Sequence, residues 1–356
     1  MTTEHSVTVL TPRPLRCIGS TCLSQGQIIA FLICDILLAI VILTGNVLVI
    51  SSVIRTPTLQ TKNNVLLASL ALADFMMAAI CIPLDIVAAL GFKPDISAYT
   101  CLSLSALIGT MVFVTVFHIC AIAFDRYLAI TSPLTYHQMM TKLRVAALIA
   151  FVWLLTLVLG GVTFIRNNTS QFQTSCDLLY IQAKEYRMSV VVICIITPFT
   201  LMSFLYYRIF LVARSHRRRI AALERLTESN PMARDQNFSR MKRDLKAAMT
   251  LILVFGVFIF GWTPATFMTA IDFFIPDIRI DEIYVYELMC FKIAFSNSAM
   301  NPMIYAARNE EFRQAFVRQL SVIFRCRTWN RFTRDRSRTE AWSHKRSVST
   351  ISSTLC

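Results

Sequence analysis

The sequence has little charge for its length. Charged residues make up 16% of its 356 residues and hydrophobic residues 55%, whereas a soluble domain carries about a quarter charged residues. This composition excludes an ordinary soluble domain and indicates a membrane protein.

Two chemical patterns are also missing. The chain has no His-Glu-x-x-His motif and its five histidines are not clustered, so nothing marks an intramembrane metal enzyme. It has no pair of self-similar halves with broken helices, which is the arrangement typical of transporters. We therefore expect no enzyme, and a small-solute membrane transporter remains only as an alternative from a different class.

Apolar runs of membrane-spanning length are abundant. A helix needs about 20 apolar residues to cross the hydrocarbon core. Such runs recur at about 27–53, 64–90, 101–124, 144–165, 187–212, 247–274 and 283–305. The sequence therefore predicts an all-α membrane protein, a seven-transmembrane helix bundle over residues 27–305, with its two termini on opposite sides.

Lysine and arginine give this bundle an orientation. They concentrate between the fifth and sixth runs and after the seventh, and such segments face the cytoplasm. Residues 1–26 are then an extracellular N-terminus without the apolar core of a signal peptide, and we expect the first run to act as an uncleaved anchor. The net charge of +14 suits the anionic inner leaflet and does not indicate nucleic-acid binding.

Several external residues are candidates for covalent modification. The sequons at Asn167 and Asn168 follow the fourth run, on the predicted outer side, so we expect glycosylation there. Cys101 opens the third run, and Cys176 lies in the same external loop as the two sequons. A disulfide bridge between these cysteines would pin that loop across the bundle mouth. Cys17 and Cys22 pair either with each other or with another external cysteine.

A short amphipathic helix is predicted after the seventh run, over residues 306–322. Phe312, Phe316 and Leu320 recur every four residues among charges, which is typical of a helix that lies on the membrane. Cys326 behind it is a palmitoylation candidate. Residues 323–356 form a polar, Ser/Thr-rich cytoplasmic tail that we expect to be disordered.

One carboxylate falls near the middle of the second run. Inserting an aspartate such as Asp74 at this depth costs about 2.5–3.5 kcal/mol. We therefore expect Asp74 either to be protonated and hydrogen-bonded or to hold a cation. Pro83, further along the same run, is expected to kink the helix.

Landmark residues occur in order along all seven runs. They are Asp125-Arg126-Tyr127, Trp262-Thr-Pro264 and Asn301-Pro302-x-x-Tyr305, with the single residues Asn46, Asp74, Trp153 and Pro198. The whole set resembles the rhodopsin-like (class A) G-protein-coupled receptors over residues 27–320. The resemblance implies a plasma-membrane receptor that transduces an extracellular small-molecule ligand to heterotrimeric G proteins, with arrestin and a receptor kinase acting at the tail.

The resemblance implies a switch at the cytoplasmic end. Arg126 would pair with Asp125 and reach Asp244, which would hold that end closed. An agonist would free Arg126 for the G protein, and Leu134 would fill an apolar pocket of the G protein. The implied coupling residues are Asp125, Arg126, Tyr127, Leu134, Tyr206, Asp244, Asn301, Pro302 and Tyr305.

The resemblance also implies an allosteric sodium ion and no other cofactor. Its ligands would be Asp74, Thr115, Asn297, Ser298 and Asn301. The ion would favour the closed state, and its loss would accompany activation.

The ligand pocket departs from the best-known subfamilies. Amine receptors have an aspartate where this chain has Ile108, and adenosine receptors have an asparagine, a phenylalanine and a histidine where it has Thr269, Leu178 and Phe295. The implied pocket comprises Asp85, Ile108, Gly109, Val112, Leu178, Trp262, Thr266, Thr269, Glu287, Phe291 and Phe295.

The ligand class stays open between several readings. The local sequence around the fifth and seventh spans resembles that of adenosine receptors, and amine receptors share much of it. A nucleoside-like ligand or an atypical amine is therefore favoured. A peptide ligand and a constitutively active receptor are the alternatives. A cationic ligand would contact Asp85 or Glu287 within an acidic rim, with Asp35 nearby; the rim comprises Asp272, Asp277, Asp281, Glu282 and Glu287.

Overall fold

The computed structural model describes residues 17–18, 21–22, 24–89, 98–167, 182–226, 234–275 and 280–323. In chain order its helices are α1 (Gln25–Arg55), α2 (Lys62–Met76), α3 (Ile82–Ala89), α4 (Ala98–Thr131), α5 (Pro133–Met139), α6 (Lys142–Gly161), α7 (Lys184–Val191), α8 (Thr197–Leu226), α9 (Arg234–Phe274), α10 (Ile280–Arg308) and α11 (Glu310–Ile323). A small hairpin precedes them, in which β1 (Cys17–Ile18) pairs antiparallel with β2 (Thr21–Cys22) and places Cys17 opposite Cys22.

Six helical stretches among the described residues are long and apolar enough to cross a membrane. They are Gln25–Arg55, Lys62–Leu84, Tyr99–Thr131, Lys142–Phe164, Lys184–Val212 and Ile252–Phe274. The seventh predicted span is α10, which packs against α9 and α1 in the same bundle. Composition marks α10 less clearly because its outer half carries Lys292 and three acidic residues.

Short polar side chains start three of these helices. Ser24 begins α1 with a capping box, because its hydroxyl accepts from the Gln27 N–H at 3.2 Å while Gln27 accepts from the Ser24 N–H at 2.9 Å. Thr61 and Thr141 cap α2 and α6 in the same way with their hydroxyls. These bonds satisfy N–H groups that the first turn leaves without helical partners.

Two spans contain a π-helical turn, and each turn lies directly before a proline. Met77–Cys81 precedes Ile82-Pro83, and Val192–Ile196 precedes Thr197-Pro198. Proline lacks an N–H, and its ring clashes with the carbonyl four residues earlier, so a wider turn accommodates it. The irregularity expected at Pro83 is therefore a π-helical turn placed just before the proline.

Helix α11 docks onto the bundle more firmly than the sequence indicated. Its Phe312 and Phe316 are buried, and the ring of Phe312 lies 5.8 Å from that of Tyr305 in α10. Gln319 bonds to the hydroxyls of both Ser51 and Ser52 in α1, at 2.5 and 2.8 Å. Helix α11 is thus fastened to the C-terminal ends of α1 and α10. It begins at Glu310 because α10 continues to Arg308.

A hydrogen-bonded chain ties α2, α4 and α6 together at mid-bundle. The Trp153 indole N–H donates to the Ser69 hydroxyl at 3.2 Å, and Ser69 bonds to His118 Nε2 at 2.8 Å. His118 is fully buried and bonds through Nδ1 to the Val114 carbonyl at 2.8 Å. Both ring nitrogens of this histidine are therefore satisfied, which lets a polar ring stand in the core.

Candidate functional site

A buried ion pair lies near the C-terminal end of α4. Asp125 is fully buried, and its Oδ2 accepts from Arg126 Nε at 2.9 Å and from Nη2 at 2.5 Å. The Tyr136 hydroxyl donates to Asp125 Oδ1 at 2.9 Å. A carboxylate at this depth is tolerated because it is paired and fully hydrogen-bonded.

Tyr136 also belongs to this hydrogen-bonded group, although no role was predicted for it. Pro133 starts α5, and one turn of this helix brings Tyr136 back against α4. Lys62 of α2 lies over its ring at 5.5 Å. Burial and the neighbouring Asp125 carboxylate raise the pKa of the Tyr136 phenol above its ordinary value, so the hydroxyl stays protonated and remains a donor. The only sequence signal was an aromatic hydroxyl ten residues after Arg126.

The structure describes most of the other predicted coupling residues. Leu134 on α5 is 93% exposed, as a residue that contacts a partner would be. Tyr206 is buried against Phe255 with ring centroids 5.4 Å apart, and Tyr305 is buried against α11. Asp244 falls within α9, but its side chain lies outside the described residues, so its predicted contact with Arg126 stays a prediction.

Four of the five predicted sodium ligands meet at mid-membrane. Asp74 is fully buried; its Oδ1 accepts from Ser298 at 2.7 Å and from Thr115 at 3.4 Å, and its Oδ2 accepts from Asn301 at 3.0 Å. These groups come from α2, α4 and α10, three helices whose packing places them together. Carboxylate, hydroxyl and amide oxygens are the ligands that hard cations prefer.

Asn297, the fifth predicted ligand, lies against α9. A Cβ atom at Gly261 would overlap its amide group, so only glycine allows α9 and α10 to approach so closely here. Within the described residues its buried Nδ2 has no hydrogen-bond partner, and neither does the buried Oδ1 of Asn46. Such orphaned polar atoms are rare in a packed core, and these two lie on α10 and α1.

The predicted ligand pocket has an apolar, aromatic floor. Ile108, Val112 and Phe295 pack on one buried cluster of α2, the π-helical turn after it and α4. Trp262 is buried beside Phe258 at 6.2 Å between ring centroids, and Phe291 lies 6.4 Å from Phe295.

The pocket's polar groups are few. Thr266 and Thr269 donate their hydroxyls to carbonyls of their own helix at 2.8 and 3.0 Å. Leu178 and the side chains of Asp85 and Glu287 lie outside the part of the chain that the structure describes, and the predicted cation contacts therefore stay predictions.

The prediction that Asp272 belongs to an acidic rim is wrong. This side chain is 6% exposed and forms ion pairs with Arg187 and Lys184 of α7, the latter at 3.3 Å. Lys184 also donates to the Asp272 carbonyl at 3.2 Å. Asp272 therefore joins the outer ends of α7 and α9 and does not present a carboxylate to a ligand. Asp277 and the side chains of Asp281 and Glu282 fall outside the described ranges.

A second ion pair lies within the membrane and was not predicted. Lys292 of α10 bonds to Asp35 of α1, with Nζ 2.8 Å from Oδ2 and side-chain exposures of 18% and 4%. The neighbours Ile33, Ile36 and Leu37 are exposed apolar side chains that face the lipid, so Asp35 is turned inward. Asp35 is thus paired with a lysine of α10.

The predicted modification sites are only partly within the described residues. Cys101 is buried and disulfide-bonded, while Cys176 lies outside them, so the Cys101–Cys176 pairing stays a prediction. Asn167 is half-buried and donates to the Phe164 carbonyl at 2.8 Å. Asn168 and Cys326 also lie outside those ranges.

Comparison with known proteins places this geometry in context. The profile of a family described as "7 transmembrane receptor (rhodopsin family)" matches residues 45–305. The 5-hydroxytryptamine receptor 4 of Cavia porcellus is 31% identical over 312 residues, which cover 82% of this chain and 78% of that receptor. The adenosine receptor A2b of Rattus norvegicus is 29% identical over 313 residues, which cover 83% of this chain and 90% of that receptor. The predicted seven-transmembrane bundle is thereby confirmed.

Proposed function

The chain belongs to the rhodopsin family of seven-transmembrane receptors, and from this membership we propose that it reports a small extracellular ligand of nucleoside-like or amine-like class to heterotrimeric G proteins. It is a multi-pass membrane receptor and not an enzyme. The receptor would lie in the plasma membrane. Its N-terminus would face the outside of the cell, according to the distribution of lysine and arginine.

The observation that carries the signalling role is the ion pair between Asp125 and Arg126. Arg126 is about one-tenth exposed and its partner is fully buried, so its guanidinium is held by the receptor in this state. Releasing it would present a cation at the cytoplasmic mouth, close to the exposed Leu134. A two-state element of this kind converts a shift in helix packing into a new binding surface.

Asp244 would add a second contact to this closed state. It lies at the cytoplasmic part of α9, from which a carboxylate reaches toward Arg126 in the proposal. Removing a contact worth about 1.4 kcal/mol shifts an open-to-closed ratio about tenfold. Asp244→Ala should therefore raise basal signalling, and unchanged basal signalling at equal surface expression would contradict this part of the proposal.

The ligand class is supported by the pocket and by the relatives together. An apolar floor of Ile108, Val112, Phe291 and Phe295 suits a flat aromatic molecule, because aromatic side chains dominate such contacts. One kind of relative is named for adenosine and the other for 5-hydroxytryptamine. Both name small, flat, heteroaromatic molecules, and the two kinds of relative are nearly equal in identity to this chain.

Sodium is the proposed allosteric ion. Asp74, Thr115, Ser298 and Asn301 would hold it with oxygen atoms, and the buried amide of Asn297 lies close to α9 to complete the site. The ion supplies a positive charge that neutralises Asp74 and favours the closed packing of α2, α4 and α10. Its binding would oppose agonist binding through the shared equilibrium.

The test is a signalling assay in cells with a generic G-protein reporter. A panel of nucleosides, aromatic amines and peptides is applied to cells that express the chain with an N-terminal epitope, which is detected on intact cells. We expect a response to a nucleoside or an amine that Arg126→Ala abolishes at equal surface expression. Lys142→Ala, which removes an exposed cation from the start of α6, is the matched control and should respond normally.

Two results would overturn the proposal. A response to peptides alone would reject the ligand class while leaving the receptor class intact. Normal coupling by Arg126→Ala would reject the role of the ion pair. The transporter alternative is not supported, since both kinds of relative are receptors.

A further inference from the structure

A cavity of about 360 Å³ lies between α4, α6 and α7, away from the predicted ligand pocket. Phe113, Leu159, Val162 and Ile193 give it an apolar lining. None of the predicted ligand-pocket residues lines it, and its described lining comes from the third, fourth and fifth spans. The volume falls in the range of small-molecule sites, about 300–1,000 Å³.

The cavity opens toward the membrane. Ile193, which lines the cavity from the fifth span, is 51% exposed, and an exposed apolar side chain on a spanning helix faces lipid. Phe113 is 2% exposed and lines the cavity from α4. A ligand would therefore enter from the bilayer.

The mouth carries one charge of each sign. Arg166 lies just beyond the end of the fourth span and Glu185 lies at the start of the fifth, so both are at the outer membrane boundary. Both side chains are exposed, and within the described residues neither forms an ion pair. Arginine matches the geometry of a phosphate group, and a carboxylate attracts an ammonium group.

We propose that this cavity is a binding site for a zwitterionic phospholipid of the outer leaflet. One acyl chain fills the apolar cavity down to Phe113. The lipid phosphate lies on Arg166 and its ammonium group lies toward Glu185. An anionic lipid would lack the partner for Glu185, and an uncharged diacylglycerol would lack both partners.

A lipid in this cavity could also influence the ligand pocket through Phe113. The Phe113 ring lies 3.9 Å from the place where a Cβ atom on Gly109 would stand, and Gly109 belongs to the predicted ligand pocket. An acyl chain pressed on Phe113 would change the packing at Gly109 and hence agonist affinity. This consequence rests on the proposed function, whereas the binding of lipid does not.

The experiment measures lipid retention directly by native mass spectrometry. The full chain is delipidated in detergent and offered phosphatidylcholine, phosphatidylglycerol or diacylglycerol with identical acyl chains. We expect a phosphatidylcholine adduct to survive collisional activation that removes the other two. Arg166→Gln and Glu185→Gln should each reduce that adduct about threefold, as expected for exposed charge contacts.

A pair of tryptophan variants tests the cavity itself. Val162→Trp fills the cavity and should abolish the retained adduct, whereas Ile165→Trp places the same side chain on the lipid face outside the cavity and should not. Equal retention by Val162→Trp and the unmodified chain would overturn the cavity as the site. Equal retention of all three lipids, or no effect of either glutamine variant, would overturn the headgroup assignment, and these two variants decide the question even if Val162→Trp fails to fold.

Discussion

The ion pair between Asp35 and Lys292 should be a strong element of stability in the outer half of the bundle. It joins α1 to α10 across 2.8 Å, in a region where the neighbouring side chains are apolar. Asp35→Asn removes the carboxylate that faces the lysine. Removing one partner of a buried pair costs about 3–5 kcal/mol, and we take the lower end, about 3 kcal/mol, because Lys292 is 18% exposed.

A loss of about 3 kcal/mol lowers the ratio of folded to unfolded receptor roughly a hundredfold. The assay is thermal denaturation in detergent followed by size-exclusion chromatography, together with the amount of receptor at the cell surface. Asp35→Asn and Lys292→Met should each denature at lower temperature than the unmodified chain. The double variant removes both charges and should regain most of the loss, because replacing a whole buried pair is often neutral or stabilising.

A charge exchange separates pairing from simple tolerance of the new side chains. Asp35→Lys with Lys292→Asp restores opposite charges in reversed order and should be more stable than either single change. The reasoning is refuted if the single variants denature like the unmodified chain. It is refuted equally if the double variant and the exchange show only the sum of the two single losses, because the two side chains would then not be coupled.

Three further predictions concern the membrane core and the cytoplasmic end. Asp74→Asn should remove the dependence of agonist affinity on sodium, measured by radioligand competition in sodium and in choline buffers; a dependence that survives intact contradicts the ion site. Gly261→Ala should lower the denaturation temperature, since its methyl group would overlap the Asn297 amide and overpacking costs about 1–3 kcal/mol. Gly256→Ala in the same helix serves as the control, because Gly256 has open space around it. Tyr136→Phe removes a hydrogen bond worth about 1 kcal/mol and should raise basal G-protein signalling about fivefold. Burial raises the pKa of this phenol above its ordinary value of 10.0, so the hydroxyl keeps its proton and its hydrogen bond between pH 7 and 9. Basal signalling that climbs over this range in the unmodified chain but not in Tyr136→Phe would argue against it.

The sequence predicts this architecture well where the signal is local. Spans follow from runs of apolar residues, and the pairing of Asp125 with Arg126 involves neighbours in the chain. Asp74 stands out because a carboxylate at mid-membrane has to be compensated. In each case one short stretch carries the whole physical argument.

Contacts between distant spans could not be predicted in this way. Asp35 and Lys292 are 257 positions apart, and their pairing depends on how α1 and α10 are rotated about their own axes. The sequence predicts Asp272 as a rim acid because its partners, Lys184 and Arg187, lie in another span. Charge at a membrane boundary is ambiguous in sequence, since solvation and interhelical pairing both satisfy it.

The contact between Gly261 and Asn297 links the ligand pocket to the proposed ion site. Gly261 precedes Trp262 on the pocket floor, and Asn297 precedes Ser298, which donates to Asp74. The Asn297 amide packs directly against the α9 backbone at Gly261, so an outward movement of α9 about Pro264 would alter the surroundings of Asn297. Under the proposed function, ligand and ion would therefore act on one packing interface. Any factor by which the ion weakens agonist binding must equal the factor by which agonist weakens ion binding, which titrating each against the other would show.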